Sequence, residues 1–289
     1  MKANAASLTT AELQPSARSV WSASGFTLLE LLVVITIIGL LAALAMPVMR
    51  NFKPNYTASV SRQLLDDIAR ARQLAISQRT TVYMVFVPTN FFNLDPAYVN
   101  NKAWFTANAG RSTNLFSKQG IGYNFVSLRS MGDQPGRPTV RYLSSWKTLP
   151  EGAFIYPLKF APNNTWFFIY TNNPAGGPPL RAFQVYGFAH TNSIPFPSED
   201  TPRFSPNNPY VTVPYIAFDY MGRLVSGRDE IIPLAKGNVL FAHDSNRNPL
   251  PAPPVFNEQP PGNALSNTFN IVYIDWLTGR ARAIQQEVR

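Results

Sequence analysis

Residues 25–49 read G-F-T-L-L-E-L-L-V-V-I-T-I-I-G-L-L-A-A-L-A-M-P-V-M, and from Phe26 to Met49 the sole charge is Glu30. The 19 residues Leu31–Met49 carry none. At 1.5 Å per residue they would make a helix of roughly 28 Å, close to the hydrocarbon thickness of a bilayer. No polar face interrupts the run, unlike the core helix of a soluble protein. It is longer than the apolar part of a secretory signal, and no small-x-small cleavage site follows it. The stretch therefore predicts a transmembrane helix over 26–49. A carboxylate near one end of such a run is costly, so Glu30 needs a reason. Gly39 and Pro47 would each weaken a helix in water but are tolerated in membrane helices, and they mark candidate points of bending or local melting.

The flanks do not fix an orientation by charge. Lys2 and Arg18 precede the run, whereas Arg50, Lys53, Arg62 and Arg70 follow it, so the positive-inside rule weakly favours a cytoplasmic C-terminal side. Beyond Pro54, a candidate kink, Val60, Leu64, Ile68, Ala71, Ala75 and Ile76 recur at steps of three and four. That spacing predicts an amphipathic helix continuing over 50–80, with Asp66, Asp67, Arg70 and Arg72 off the apolar face. Helix from about 27 to 79 would be roughly 80 Å long, and its second half needs a sheet to cover it. Runs rich in Val, Ile, Phe, Tyr and Thr predict strands at 81–88, 121–127, 138–144, 152–157, 165–171, 180–188, 211–219, 238–243 and 269–275. L-T-G-R at 277–280 reads as a turn into a final short strand. Long loops are expected at 89–120, 189–209 and 244–267, the last two rich in proline.

Composition fits this division. Of 289 residues 45% are hydrophobic and 14% charged, and 26 are proline, as many short strands joined by loops would give. The absence of cysteine excludes a disulfide framework, a Cys-based zinc site and a cysteine nucleophile. Net charge is +9, but the basic residues are mostly single (Arg111, Lys118, Arg129, Arg137, Arg141) rather than clustered as in nucleic-acid binders.

The stretch G25-F26-T27-L28-L29-E30 and its apolar helix resemble the class III signal of type IV pilins and type II secretion pseudopilins. The resemblance implies cleavage by a prepilin peptidase between Gly25 and Phe26 and N-methylation of the new amino-terminal Phe26. Glu30 becomes the fifth residue of the mature chain, where the family keeps a glutamate, and Gly39 and Pro47 fall where many members also have Gly and Pro. A weaker resemblance to the H-type minor pseudopilins covers 65–77, the strand after it, and the turns F218-D219-Y220-M221-G222-R223 and D275-W276-L277-T278-G279-R280. The leader departs from the family in carrying Ser22, Ala23 and Ser24 where many members have Lys or Arg. The chain also cannot form the disulfide many members hold near the C-terminus.

The resemblance implies an α+β, pilin-like fold: a leader over 1–25, a transmembrane and assembly helix over 26–49, its amphipathic continuation over 50–80, and an extracytoplasmic, mainly antiparallel β domain over 81–289. It implies a single-pass protein of the bacterial inner membrane, a filament subunit and not an enzyme. The partners implied are prepilin peptidase, other pilin or pseudopilin subunits, an inner-membrane assembly platform and membrane lipid. A free α-amino group at Phe26 would be cationic at neutral pH, with Glu30 one turn below it. In a stacked filament the Glu30 carboxylate of one subunit can neutralise the ammonium of its neighbour and so set register. It also lies where the helix dipole favours a negative charge. Two other readings stay open: an uncleaved membrane-anchored binding or enzymatic domain, and a DNA-binding minor pilin of a competence system.

Chemistry elsewhere is sparse. His190 and His243 lack the spaced partners of a metal motif. D244-S245-N246-R247-N248 begins like a calcium loop, but Pro249 stands where glycine is needed and no glutamate follows at the twelfth position. No catalytic residue, cofactor or metal is expected.

Overall fold

The computed structural model describes residues 27–51, 56–89, 115–161, 164–171, 181–195, 210–250, 252–265 and 269–285. The chain divides into two compact units, Met1–Pro54 and Asn55–Arg289. In the first, helix α1 spans Leu28–Asn51 without interruption at Gly39 or Pro47. Side chains are described through Ala42, and each from Leu28 to Ala42 is exposed. The apolar run expected to cross a membrane extends past that point; among the described residues no helix is long and apolar enough to do so.

The second unit opens with helix α2, Tyr56–Gln78. Whether the two helices are continuous rests on 52–55, including Pro54, which lie outside the described residues. The three-four periodicity of α2 is realised: Val60, Leu64, Ile68, Ala71 and Ala75 are fully buried, while Ile76 is half-buried. Burying each large member of that stripe contributes about 1.5–3 kcal/mol, so Leu64→Ala would open the helix–sheet seam.

The strands are β1 (Val82–Phe86), β2 (Gly122–Ser127), β3 (Arg141–Tyr142), β4 (Lys147–Thr148), β5 (Ala153–Ile155), β6 (Trp166–Tyr170), β7 (Ala182–Tyr186), β8 (Ser193–Pro195), β9 (Tyr210–Thr212), β10 (Tyr215–Phe218), β11 (Glu230–Leu240), β12 (Val255–Glu258), β13 (Asn270–Ile274) and β14 (Ala281–Gln285). A short 3-10 helix, Pro157–Phe160, follows β5. One sheet has the order β10-β1-β2-β3, with β4 also on β2. A second has the order β12-β11-β13-β14, with β5 also on β11. The pairs β6-β7 and β8-β9 stand as separate two-stranded sheets. Every pairing among the described residues is antiparallel, so the α+β class holds. The buried face of α2 is shared by both large sheets, packing with Met84, Phe125, Phe218, Leu234 and Val272. Strand β1 is buried on both faces: Val82, Met84 and Phe86 join the α2 core, whereas Tyr83 and Val85 join a second cluster with Val126 and Tyr215. This is why its sequence is an unbroken apolar run rather than an alternation.

Several expected boundaries move. The strand expected at 238–243 is the end of β11, which begins at Glu230 and stops at Leu240. β11 contains Pro233 and Gly237, residues that strands ordinarily exclude, but the Pro233 carbonyl accepts the Tyr156 N–H (2.9 Å). The donor that Pro233 lacks would face a residue past the end of β5, so little is lost. Gly237 has φ +147°, and a Cβ there would run into the Asn257 carbonyl of β12, so only glycine lets the two strands approach. The single strand expected over 211–219 is two, broken at Val213–Pro214: β9 joins β8 and β10 joins β1. The strand expected at 138–144 shrinks to β3. The loops expected at 189–209 and 244–267 contain β8 and β12, and β4 was not expected. Residues 90–114 and 196–209 of the expected loops lie outside the described residues.

Candidate assembly site

The residues that would carry assembly lie at the start of α1. Gly25 and Phe26 fall outside the described residues. Thr27 is the first described residue and acts as N-cap: its carbonyl accepts the first helical bond from Leu31 N–H (3.1 Å) and its Oγ1 accepts the Glu30 N–H (3.2 Å). Thr27-Leu28-Leu29-Glu30 is thus the T-x-x-E spacing of a capping box. The spacing was visible in the sequence, but the role of Thr27 was missed. Glu30 sits in the first turn of α1, where the exposed amide N–H groups favour a negative charge. It is exposed, and among the described residues it forms no ion pair. Thr36, the other polar side chain between Leu28 and Ala42, satisfies itself by donating to Val33 O (2.8 Å). At Gly39 an added Cβ would meet nothing within 4 Å; Pro47 lies within α1, beyond the described side chains.

Three charged side chains of the second unit, Asp67, Lys159 and Glu230, are buried. Asp67, expected off the apolar face of α2, is instead buried. Tyr123 OH donates to its Oδ2 (2.5 Å), Lys147 Nζ pairs with its Oδ1, and Gln63 Nε2 donates to Tyr123 OH (2.9 Å). A carboxylate can face inward here because β2 and β4 bring its partners to it, which helical periodicity alone cannot show. Burial, and then the bond to Asp67, pushes the Tyr123 phenol up. Lys159, on the 3-10 helix, is fully buried and pairs with Glu230 at the start of β11. Its Nζ also donates to Tyr186 O (2.7 Å) and lies 4.7 Å from the Phe188 ring centre. Burial pushes the Lys159 amine down, against the pull of Glu230.

The two G-R turns meet. Asp219 accepts the N–H groups of Met221 (2.9 Å) and Arg223 (2.8 Å), and Asp275 accepts the Thr278 N–H (2.7 Å) and Oγ1–H (2.8 Å). These backbone and hydroxyl bonds hold the Asp275 carboxyl below its ordinary range. Gly279 abuts the carbonyl of Gly222, and Arg72 of α2 donates to Thr278 O (2.8 Å). His190 Nδ1 contacts Phe188 O (2.7 Å), and burial pushes the ring down. His243 Nδ1 contacts Phe241 O (2.9 Å). Asp244 spends both oxygens on its own turn, accepting from the N–H groups of Asn246 and Asn248 (2.8 Å each) and from Asn248 Nδ2 (3.0 Å). Among the described residues no group of three or more acidic or histidine side chains could hold a metal ion.

A family model described as the prokaryotic N-terminal methylation motif matches residues 22–46. The chain therefore carries a type IV pilin-like prepilin signal. The matched stretch contains Gly25, Phe26, Thr27, Glu30 and Gly39, and Pro47 lies one residue past it. Such a signal implies processing by a prepilin peptidase, assembly with other pilin subunits, and a membrane-anchored, extracytoplasmic placement. No curated protein and no solved structure matches the chain.

Proposed function

We propose that the protein is a structural subunit of a type IV pilus-like or type II secretion pseudopilus filament, with no enzymatic activity. In this reading prepilin peptidase cuts after Gly25 and Phe26 becomes the N-methylated terminus. Helix α1 holds the chain as a single pass in the bacterial inner membrane, with the β-rich unit outside, until an assembly platform moves it into the filament. The subunit is a minor one, because a large unit with long loops hinders tight repetitive packing. One observation carries the reading: the methylation motif at 22–46 coincides with a helix whose described side chains are apolar and exposed save Glu30 and Thr36. Mass spectrometry of the amino terminus tests it. A methylated Phe26 supports the proposal, and an intact Met1 in the membrane-extracted protein overturns it in favour of an uncleaved anchor. Glu30→Ala is expected to leave insertion and cleavage intact and to block incorporation; normal incorporation of that variant would refute the role given to Glu30.

A DNA-binding minor pilin is the second reading, favoured by the net charge of +9. Its test is DNA affinity measured against salt. Neutralising several phosphates gives a steep negative slope of log K on log[salt], and a flat slope excludes it.

A further inference from the structure

The far half of β11 carries a feature that neither reading uses. Tyr156 N–H donates to Pro233 O and Gly237 N–H donates to Gly152 O (3.0 Å), so residues 233, 235 and 237 direct their backbone groups toward β5. Gln259 N–H donates to Lys236 O (2.8 Å), so the even-numbered residues face the opposite side, where β13 and then β12 follow one another. β5 begins at Ala153, just after the Gly152 turn, and so covers β11 no further than Gly237, but β11 runs on to Leu240. Val239 therefore points its N–H and C=O to the β5 side beyond the stretch that β5 covers. Among the described residues nothing pairs with them. They open into a cleft of about 580 Å³ walled by Ile121, Leu149, Pro150 and Leu240.

We propose that this cleft is a strand-addition site: an extended segment of a partner protein lies beside Asn238–Phe241 in line with β5, its backbone pairing with Val239. The occupant follows from what is unmet. An unpaired N–H and C=O on a strand edge are satisfied in alternation by another extended backbone. A small apolar molecule could fill the volume but would leave both groups without partners. Four residues of edge span roughly 13 Å, so the segment is short, with apolar side chains at alternate positions toward Leu149 and Pro150. The proposal is independent of the filament reading, since it concerns the second unit alone and is measured by peptide binding.

The test uses the full chain in detergent micelles and two blocked pentapeptides, Thr-Val-Thr-Val-Lys and its twin N-methylated at alternate residues. Without peptide, the Val239 amide is expected to exchange with deuterium as an unpaired amide does. Strong protection in the protein alone overturns the proposal, because the edge is then covered by the chain itself. The unmodified peptide is expected to slow that exchange at least tenfold, with the N-methylated twin about tenfold weaker. Equal binding of the two overturns it, leaving an apolar cleft only, and so does failure of both to bind at millimolar concentration. Val239→Pro deletes the edge donor without touching the ladder to β12, which uses residues 238 and 240. It is expected to abolish protection of the neighbouring amides by peptide, whereas Val239→Thr retains it.

Discussion

Lys159→Met tests how the second unit tolerates charge in its interior. Lys159 is 0% exposed and Glu230 6%, so the substitution leaves a buried carboxylate that has lost its counter-charge. Breaking a buried pair in this way costs about 3–5 kcal/mol. In a domain of this size each kcal/mol shifts the midpoint by about 2–4 °C, so a fall on the order of 10 °C is expected. The loss of the bond to Tyr186 O and of the contact with Phe188 adds to it, while the methionine keeps most of the packing volume. The second arm is Lys159→Met with Glu230→Leu, which removes both charges and keeps apolar volume. Replacing a buried pair by apolar residues is often neutral or stabilising, so the double variant should recover most of the loss. Thermal unfolding of the full chain in detergent, followed by near-ultraviolet circular dichroism, reads all variants. A single variant within about 2 °C of the parent would show that the pair is solvated. A double variant no better than the single would show that the two side chains are not coupled. Either result refutes the reasoning.

Glycine at the meeting of the two turns gives a second prediction. Gly279 has φ +62°, and its added Cβ would strike the Gly222 carbonyl, whereas Gly227, at φ +67°, has nothing within 4 Å. Gly227→Ala should cost about 1–2 kcal/mol for the left-handed backbone alone. Gly279→Ala should cost more, about 2–3 kcal/mol, and equal midpoints would contradict the steric account. A third concerns alkaline pH. Tyr273 donates to Asp229, and that bond, with burial and the carboxylate charge, pushes its phenol up to about 12. A phenol raised in the folded state contributes stability that is present below its ordinary value near 10 and is lost as pH rises through about 12. Tyr273→Phe should therefore remove one late-ionising phenol from an absorbance titration; loss of an early one would refute the assignment.

What the sequence disclosed tracks how local each signal is. The α2 stripe was legible because three-four spacing is a property of one segment, and the β1 run because burial on both faces removes alternation. β11 was not, because Pro233 and Gly237 break strands only when their neighbours need a donor or a side chain. Here β5 ends beside the one, and β12 approaches too closely for a Cβ at the other. Both conditions are set by segments far along the chain. Asp67 was misplaced for the same reason: its partners, Tyr123 and Lys147, arrive from strands that helical periodicity cannot anticipate. At the amino terminus the reverse holds. Thr27, Glu30 and the apolar run form a local pattern, so most of the candidate site could be read before any fold was known, and the cap made by Thr27 was open to the same reading.

The treatment of charge separates the two units and bears on Glu30. In the second unit the buried acids Asp67 and Glu230 and the buried Lys159 each meet an opposite charge, as the cost of desolvating an ion requires. Glu30 is the sole charge among Leu28–Ala42, and among the described residues it has no such partner. It is tolerable while exposed, but once α1 is surrounded by apolar groups the same cost applies. The compensating charge must then come from outside the apolar run, because Leu31–Met49 carries none. A cationic amino terminus on a neighbouring copy would supply it. This account predicts that Glu30→Gln, which keeps size and polarity but not charge, behaves in assembly like Glu30→Ala. If the glutamine variant assembled as the parent does, side-chain hydrogen bonding rather than charge would set register.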